Sequence, residues 1–372
     1  MIIRGLYSDW SVVLQSAQYV NHDVAASLTR RLNSIAATGA NLIWWTNLPD
    51  DAAQLATIVR ECRSRGMECV LGSGRWYAYA GRGVEQVTRL QSLHNALPLD
   101  ARPFAWSIGD ETDPAAYGDL RHIATTCAAD GIPATLVQAP EYHADTVAVV
   151  GSSVPWMSCD VYPVFVPGLS SNPPYGSNAL TWARSKYAGA VSRVPTCVMV
   201  QGFSEGNLFA IPTPAQVRWQ IWAAIASGSS GAIVFAHGLP SHINGGSLVD
   251  LENETETAQG NAVRDAFGKV ASLDGLQFTT TEPAPSFQTH PAAGDMATIR
   301  RTTDGRRVLI VVADPLQPQR FLKLTLPNTL QTQTICGPDA SLSVLPWPWY
   351  LFFPPTFTVN LAPGEAYVGV LN

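Results

Sequence analysis

The stretch from residue 23 to residue 71 reads DVAASLTRRLNSIAATGANLIWWTNLPDDAAQLATIVRECRSRGMECVL, which holds two helix-strand units in succession. Asp23 is a common helix-capping residue, and apolar residues recur after it at helical spacing until Gly39. An apolar run follows at residues 42–45, then a second helical pattern, then a second apolar run at 69–71. Because neighbouring parallel strands need a crossover helix between them, this alternation predicts a parallel β-sheet.

The same alternation extends over the first 275 residues and gives eight strand-helix units. We expect helices at residues 114–129, 213–227 and 259–273, among others. The eight strands are expected at residues 2–6, 42–45, 69–71, 104–108, 134–137, 157–161, 197–200 and 232–235. Eight such units are typical of an α/β fold of the (β/α)8 TIM-barrel type. A doubly wound sheet usually has a glycine-rich turn after its first strand, and the segment after Tyr7 has none.

Beyond Gly275 the helical pattern ends and short β-rich runs begin, separated by turn signals such as Asp304-Gly305 and Pro363-Gly364. The sequence thus predicts two domains, a barrel at residues 1–275 and a small antiparallel β-sandwich at 276–372. An apolar insertion at 347–353 is interpreted either as a plug against the barrel or as a surface for a sugar or a partner.

The composition limits the class of partner. Charged residues make up 14% of the 372 residues, the formal net charge is −6, and no basic run occurs, which argues against nucleic acid and anionic membranes. No apolar run approaches the roughly 20 residues of a membrane-spanning helix. The six cysteines show no CxxC pair, so we expect free buried thiols rather than a disulfide framework.

The first seven residues lack the charged-then-apolar pattern of a signal peptide. Either a leader has been removed, or the protein leaves the cell by another route, or it stays inside. A secreted, virion-associated or cytoplasmic address therefore stays open, as does the oligomeric state.

Active residues of a (β/α)8 barrel lie just beyond the carboxyl ends of its strands. In this chain those positions are rich in aromatic, amide and carboxylate side chains, which suit sugar rings and their hydroxyls. The residues predicted to bind a carbohydrate are Trp45, Trp76, Tyr77, Asp110, Tyr162, Gln201 and His237. No phosphate-binding glycine loop, GxSxG turn or metal-ligand spacing of His143, His237 and His242 is present, so neither a cofactor nor a metal is predicted.

Two adjacent carboxyl groups, Asp110 and Glu111, follow the fourth strand directly. Glycoside hydrolysis generally requires two carboxyl groups that flank the scissile bond, one of them protonated. Asp113 is better interpreted as the cap of the next helix, which has Pro114 in its first turn. We therefore predict Glu111 as the general acid and Asp110 as a supporting or binding carboxylate.

With these residues the chain resembles the large clan of (β/α)8 glycoside hydrolases that carry an acid/base glutamate after strand four and a nucleophilic glutamate after strand seven. Glu111 falls on the acid/base position, and residues 158–163 and 219–235 also resemble that clan. Two positions depart from it, since Asp110 replaces the usual asparagine and Gln201 stands where the nucleophile is expected. The second carboxylate must then be Asp160, Glu205 or Glu141, with Asp160 preferred because it ends a strand.

The sequence thus predicts a glycoside hydrolase that acts on a polysaccharide or glycan, with Glu111 as general acid and Asp160 or Glu205 as base or nucleophile. Gln201 favours an alternative, a non-catalytic carbohydrate-binding barrel with a structural or adhesive role. An enzyme of another class on the same scaffold is a further alternative, because barrels host many chemistries.

Overall fold

The computed structural model describes residues 2–20, 23–167, 177–206, 208–238, 248–249, 256–282, 284–288, 290–326, 331–343 and 355–371. The predicted insertion at 347–353 and His242 lie outside these residues.

The barrel has eight parallel strands, here numbered in chain order: β1 (Ile3–Asp9), β2 (Leu42–Thr46), β3 (Glu68–Leu71), β4 (Ala105–Asp110), β5 (Ala134–Gln138), β6 (Met157–Val161), β7 (Thr196–Gln201) and β8 (Gly231–Phe235). They form a closed barrel in sequence order, with β1 paired to both β2 and β8. The predicted TIM barrel is confirmed.

The helices of the barrel are α1 (Trp10–Val20), α2 (Val24–Ala37), α3 (Ala52–Arg63), α4 (Gly83–Ala96), α5 (Tyr117–Ala129), α6 (His143–Val150), α7 (Ser177–Val191), α8 (Pro214–Ala226) and α9 (Ala258–Ala271). Their ends follow the local sequence. The Asp23 carboxylate accepts hydrogen bonds from the amides of Ala25 and Ala26, and Thr213 forms a capping box with Gln216. None of the described helices is long and apolar enough to cross a membrane.

Alternation along the strands separates two apolar cores. Side chains that point into the barrel include Tyr7, Trp44, Val70, Met199 and Ile233, and they fill its axis. Those on the other face of the same strands pack against the helices. All six cysteines are free, and five of them are buried, as the sequence predicts.

The C-terminal part is an antiparallel β-sandwich, as predicted. In the described residues it comprises β9 (Phe278–Glu282), β10 (Ser286–Phe287), β11 (Met296–Thr302), β12 (Arg307–Val312), β13 (Arg320–Thr325), β14 (Thr332–Cys336), β15 (Ala340–Ser343), β16 (Thr356–Leu361) and β17 (Ala366–Leu371). One sheet has the order β10-β13-β16-β15 and the other β14-β17-β12-β11-β9. The sequence patterns predict strands at 297–301, 308–313, 321–326, 356–361 and 366–371, which correspond to β11, β12, β13, β16 and β17. They do not predict β9, β10, β14 and β15, which are short, polar or largely exposed.

The five-stranded sheet packs on both of its faces. Leu309 and Val311 point into the sandwich, whereas Val308, Ile310 and Val312 join the barrel core next to α8. The Trp219 indole donates to the carbonyl of Gly294 at 2.7 Å across this contact. The expected boundary at 275/276 falls between α9 and β9, and the division into two domains stays a prediction.

Closure of the barrel at the seam between β1 and β8 requires a glycine at position 231. A Cβ atom there would overlap the Ile3 carbonyl oxygen and lie 2.6 Å from the Ile3 Cβ. We expect Gly231→Ala to lower the free energy of unfolding by about 1–3 kcal/mol, the usual range for overpacking. The control Gly268→Ala, on the exposed side of α9 with nothing near its Cβ, should raise it by about 0.5–1 kcal/mol. Urea unfolding followed by circular dichroism measures both, and wild-type stability in Gly231→Ala would contradict this account of the seam.

Candidate active site

Strand β4 contains a β-bulge immediately before its two carboxylates. Ser107 pairs with Thr135 and Asp110 with Val137, so β4 uses three residue steps where β5 uses two. The extra residue turns Asp110, rather than Gly109, toward the barrel axis. A Cβ atom at Gly109 would overlap the Thr112 hydroxyl, so the bulge requires glycine here.

Glu111 has a backbone φ of 45°, in the left-handed region that residues other than glycine seldom adopt. Its amide donates to the carbonyl of Val137 at 3.1 Å, which holds this conformation. In a regular strand, consecutive side chains face opposite sides. The bulge and the left-handed residue together direct both Asp110 and Glu111 to the same side.

Both carboxylates line a cleft of about 630 Å³ at the carboxyl end of the barrel. Its lining includes four further residues predicted from sequence, Tyr77, Asp160, Tyr162 and Glu205. The complete lining consists of Tyr7, Tyr77, Tyr79, Asp110, Glu111, Val137, Asp160, Tyr162, Met199, Phe203, Glu205, Leu208, Phe209 and Phe235. The cleft therefore has a carboxylate-bearing floor and an aromatic wall.

Asp160 and Glu111 form a hydrogen-bonded pair of carboxyl groups. Asp160 is 7% exposed, and burial together with the hydrogen bond and the negative charge of Glu111 raises its pKa well above the ordinary range for aspartate. Two carboxyl groups in hydrogen-bond contact must share a proton, because two carboxylates would repel each other.

Asp110 is held by a tyrosine from the first strand. The Tyr7 hydroxyl donates to Asp110 Oδ2 at 3.5 Å. Desolvation and the neighbouring charge of Glu111 raise the pKa of Asp110 to about 6. Burial and the nearby carboxylates raise the pKa values of Tyr7, Tyr77 and Tyr162 as well, so these phenols stay protonated as donors at neutral pH.

Across the mouth, the side of the cleft formed by β7 and β8 is apolar. The ring of Phe203 lies 4.9 Å from that of Phe235 and 5.5 Å from that of Phe209. Tyr162 contacts this cluster, with its ring 5.1 Å from that of Phe203. Glu205 is exposed at the rim, in a turn closed by backbone hydrogen bonds between Glu205 and Phe209.

The predicted sugar-binding roles of Trp45 and Trp76 are wrong. Both side chains are completely buried in the core outside the barrel axis, where Trp45 of β2 packs on Trp10, and Trp76, in the loop after β3, packs on Trp106. The alternation of β2 explains the first error, because Trp44 occupies the inward-facing position and Trp45 the outward-facing one.

Gln201 also does not line the cleft. Its side chain is fully buried and clamps two loops, since the amide nitrogen donates to the carbonyls of Val164, Phe203 and Ala210. The side-chain oxygen accepts from the Val164 amide at 2.8 Å. The end of β7 therefore presents a structural amide at the position where the resemblance implies a nucleophile.

His237 is a third correction to the predicted binding residues. The ring is fully buried, with Nδ1 3.1 Å from Arg31 and Nε2 3.1 Å from the Ser34 hydroxyl. Burial and the Arg31 charge lower its pKa well below the ordinary range, so the ring is neutral. No cluster of three or more possible metal ligands occurs within the ranges that the structure describes.

Other predicted carboxylates have roles outside the cleft. Asp113 caps the turn after β4 by accepting from the Ala115 amide at 2.7 Å, as its position beside Pro114 suggests. Glu141 is exposed and pairs with Lys186 at 3.2 Å. Tyr7, Phe209 and Phe235 line the cleft but were not predicted from sequence. Of these, only Tyr7 could have been recognised, because it is a polar aromatic residue of the first strand.

Similar solved structures share this architecture. A family 30 subfamily 8 xylanase from Clostridium acetobutylicum is 10% identical, with a TM-score of 0.56 over all of this chain and 97% of its own. A family 51 α-L-arabinofuranosidase from Bifidobacterium longum is 11% identical, with a TM-score of 0.56 over 99% of this chain and 95% of its own. A structure described as a glycoside hydrolase is 10% identical and reaches 0.59 over all of this chain and 92% of its own.

No protein-family model matches the sequence, and no curated protein sequence does either. At identities near 10% the structural likeness establishes a shared fold. The predicted resemblance to (β/α)8 glycoside hydrolases is thus confirmed for the architecture, including the β-domain that follows the barrel.

The raised pKa of Asp160 has a stability cost that depends on pH. A carboxyl group with a raised pKa in the folded state stabilises the protein at low pH, and this contribution is lost as the pH rises toward that pKa. Asp160→Asn keeps the shape and cannot ionise, so we expect Tm to rise by roughly 2–4 °C at pH 8 and to change little at pH 4. The control Asp113→Asn should stay near wild type at pH 8, because Asn caps helices about as well as Asp. A Tm gain of Asp160→Asn that is equal at both pH values would contradict the assignment.

Proposed function

We propose that this protein is a glycoside hydrolase that cleaves a polysaccharide or glycan, with Glu111 as its general acid. The observation that carries the proposal is the hydrogen-bonded pair of Glu111 and Asp160 on the floor of the cleft. Active groups of this fold lie at the carboxyl ends of the strands, where this pair is found. Because the pair shares a proton next to an open cleft, it can donate that proton to a leaving group.

The two members of the pair have different tasks. Asp160 is buried and its pKa is raised, which favours its protonated form, whereas Glu111 is exposed to the cleft. A bound sugar displaces water from Glu111 and makes its charged form less favourable. The shared proton then moves to Glu111 and from there to the glycosidic oxygen. Asp160 acts as a positioning residue that supplies and stabilises the proton of Glu111.

In this arrangement Asp160 does not serve as the second catalytic carboxylate, the one that would act as base or nucleophile. The carboxyl groups of glycosidases lie about 5–5.5 Å apart in retaining enzymes and about 6.5–9.5 Å apart in inverting ones. A hydrogen-bonded pair is closer than both ranges, so Asp160 and Glu111 do not flank a scissile bond. Glu205, at the rim on the β7 side, is the predicted candidate that still faces the cleft.

The rest of the lining supports a carbohydrate as the ligand. Tyr77, Tyr79 and Tyr162 combine aromatic area for the C–H faces of a sugar with hydroxyl groups that hydrogen-bond its oxygens. Asp110 adds a strong acceptor for ligand hydroxyl or amide groups. Two structures with the same fold are described as a xylanase and an arabinofuranosidase, and an enzyme of either name acts on a carbohydrate, which is consistent with this class of substrate.

A non-catalytic carbohydrate-binding barrel is the second candidate, and the buried Gln201 favours it. Its amide is fully used by backbone partners, so no carboxylate occupies the end of β7 itself. Such a protein would bind glycans through the same aromatic residues and release no sugar.

Release of reducing sugar across a panel of polysaccharides distinguishes the two candidates. On an unactivated glycan that is cleaved, Glu111→Gln should lower kcat by about 10²- to 10⁴-fold, the usual loss for general acid catalysis. The matched control Glu141→Gln removes an exposed carboxylate outside the cleft and should retain the wild-type rate. Glycan binding without any sugar release would support the binding protein, and near-wild-type turnover by Glu111→Gln would refute its role as acid.

The role of Asp160 has a separate signature in the pH profile. Because the general acid must be protonated, kcat/KM should fall as the pH rises through the pKa of the pair. Asp160→Asn removes the second carboxyl group, so loss of the last proton no longer leaves two negative charges side by side. The basic limb should therefore move to lower pH by about one unit or more. A rate loss without any shift of this limb would indicate that Asp160 has only a structural role.

A further inference from the structure

The side chain of Gln201 joins two loops at the mouth of the barrel. Its oxygen accepts from the Val164 amide at 2.8 Å and its nitrogen donates to the Val164 carbonyl at 3.1 Å, so it pairs with the loop after β6 as a neighbouring strand would. The same nitrogen donates to the carbonyls of Phe203 and Ala210 at 3.1 and 2.8 Å. The loop after β7, here called the β7 loop and described at 203–206 and 208–210, is thus closed at both ends by one atom.

This clamp requires an amide at the end of β7. Three of its hydrogen bonds end on carbonyl oxygens, which need a donor, and the two N–H bonds of one amide are shared among them. Gln201 is fully buried, so an ionised carboxylate in its place would face those oxygens without water, at a high cost in free energy. The buried Gln220 of α8 fixes the backbone of Gln201 through bonds of 2.9 and 3.2 Å to its amide and carbonyl.

The β7 loop supplies one side of the cleft. Phe203, Glu205, Leu208 and Phe209 all belong to its lining. The amides of Leu208 and Phe209 donate to the Glu205 carbonyl, and the Glu205 amide donates to the Phe209 carbonyl. The Val166 amide donates to the Leu208 carbonyl at 3.0 Å, which ties this turn to the loop after β6 as well. The side chain of Glu205 is therefore exposed to the cleft while its backbone is held in place.

Glu205 and Glu111 belong to strands that lie far apart around the barrel. Glu111 follows β4 and Glu205 follows β7, three positions further along the closed ring of eight strands. Both carboxylates line the same cleft. Two carboxyl groups that flank a scissile bond must approach it from different sides, and these two strands provide that arrangement.

From these contacts we propose that Gln201 is a positioning residue, which holds Glu205 at the cleft as the second catalytic carboxylate, across from Glu111. This role rests on the proposed function and adds how its second carboxylate is placed. The β7 loop carries the reactive group, and the end of β7 is its anchor.

Both possible reactions of Glu205 balance with Glu111 as the acid. Glu111 gives its proton to the glycosidic oxygen as the bond from that oxygen to the anomeric carbon breaks. As a base, Glu205 takes a proton from the water whose oxygen bonds to the anomeric carbon, and that proton returns to Glu111 through solvent. As a nucleophile, Glu205 itself forms the bond to the anomeric carbon; water then replaces it there and gives a proton to Glu111.

Activated substrates separate the two carboxylates, because a 2,4-dinitrophenolate group leaves without a proton. The probes are 2,4-dinitrophenyl glycosides of a panel of mono- and disaccharides. On a glycoside that is cleaved, Glu205→Gln should lower kcat/KM by about 10²- to 10⁴-fold, and Glu111→Gln by less than about 10-fold. Sodium azide should restore activity to Glu205→Ala and yield a glycosyl azide, since azide attacks the anomeric carbon without a base.

The variant Gln201→Met has a similar length and cannot form the clamp. It should lower kcat/KM by about 10- to 10²-fold, the loss that a shift of about 1 Å in a reacting group can cause. In Glu205→Ala with azide, the same substitution should cost less than about threefold, because azide does not depend on the loop. Gln201→Asn keeps a buried amide but is one methylene shorter, and it should lose activity in the same way if Gln201→Met does not fold.

Ser229→Ala is the matched control. It removes a buried hydroxyl that donates to the Thr196 carbonyl at 2.8 Å at the amino end of the same strands, and it should keep the wild-type kcat/KM. Wild-type kcat/KM in Glu205→Gln or in the folded Gln201 variants would overturn the proposal for Gln201 and leave the hydrolase standing. An equal loss with and without Glu205 would do the same, as would a higher kcat/KM in Gln201→Glu than in wild type. Failure to cleave any polysaccharide or aryl glycoside would overturn both.

Discussion

Two consecutive carboxylates can face one cleft only if the strand that carries them loses its alternation at that point. The bulge in β4 provides this, since Gly109 leaves no room for a side chain and Glu111 adopts a left-handed backbone. The remainder of the site follows from it. Asp110 reaches Tyr7 on β1, Glu111 reaches Asp160 on β6, and the barrel holds the three strands in fixed positions. Backbone strain of this kind is commonly found at functional sites.

The resulting concentration of negative charge is unfavourable for the folded state and useful for proton transfer. Burial and the charge of Glu111 raise the pKa values of Asp110 and Asp160, and the described residues that line the cleft include no cation. The surrounding tyrosines supply neutral donors rather than positive charge. A cleft of this character favours groups that donate hydrogen bonds or protons, or that acquire positive charge during the reaction. The oxocarbenium-like states of sugars are of this type.

Most of the fold could be predicted, because the spacing of hydrophobic residues along the chain indicates directly which side chains are buried. The eight barrel strands agree with the sequence patterns to within a few residues, whereas exposed strands such as β14 have no such signal. For the site, the position of Glu111 after a buried strand was enough to select it. The error at Trp45 arose because sequence shows that a residue lies at the end of a strand but not which face it occupies. Trp76 lies beyond the end of β3, and sequence does not show that its indole packs against Trp106. The bulge and the loop-clamping role of Gln201 depend on contacts between distant segments, which local sequence does not encode.

The sheet that contains β12 has apolar side chains on both faces, one set in the sandwich and the other against α8. Arg300 strengthens this contact, since its guanidinium lies 4.1 Å from the Phe278 ring and donates to carbonyl groups at the end of α8. A truncation after α9 would leave the buried surface of α8 open to water, including Trp219 with its lost hydrogen bond. The barrel would then expose an adhesive apolar patch prone to aggregation. Transfer of this barrel into another protein, by evolution or by engineering, therefore requires that the sandwich be transferred with it.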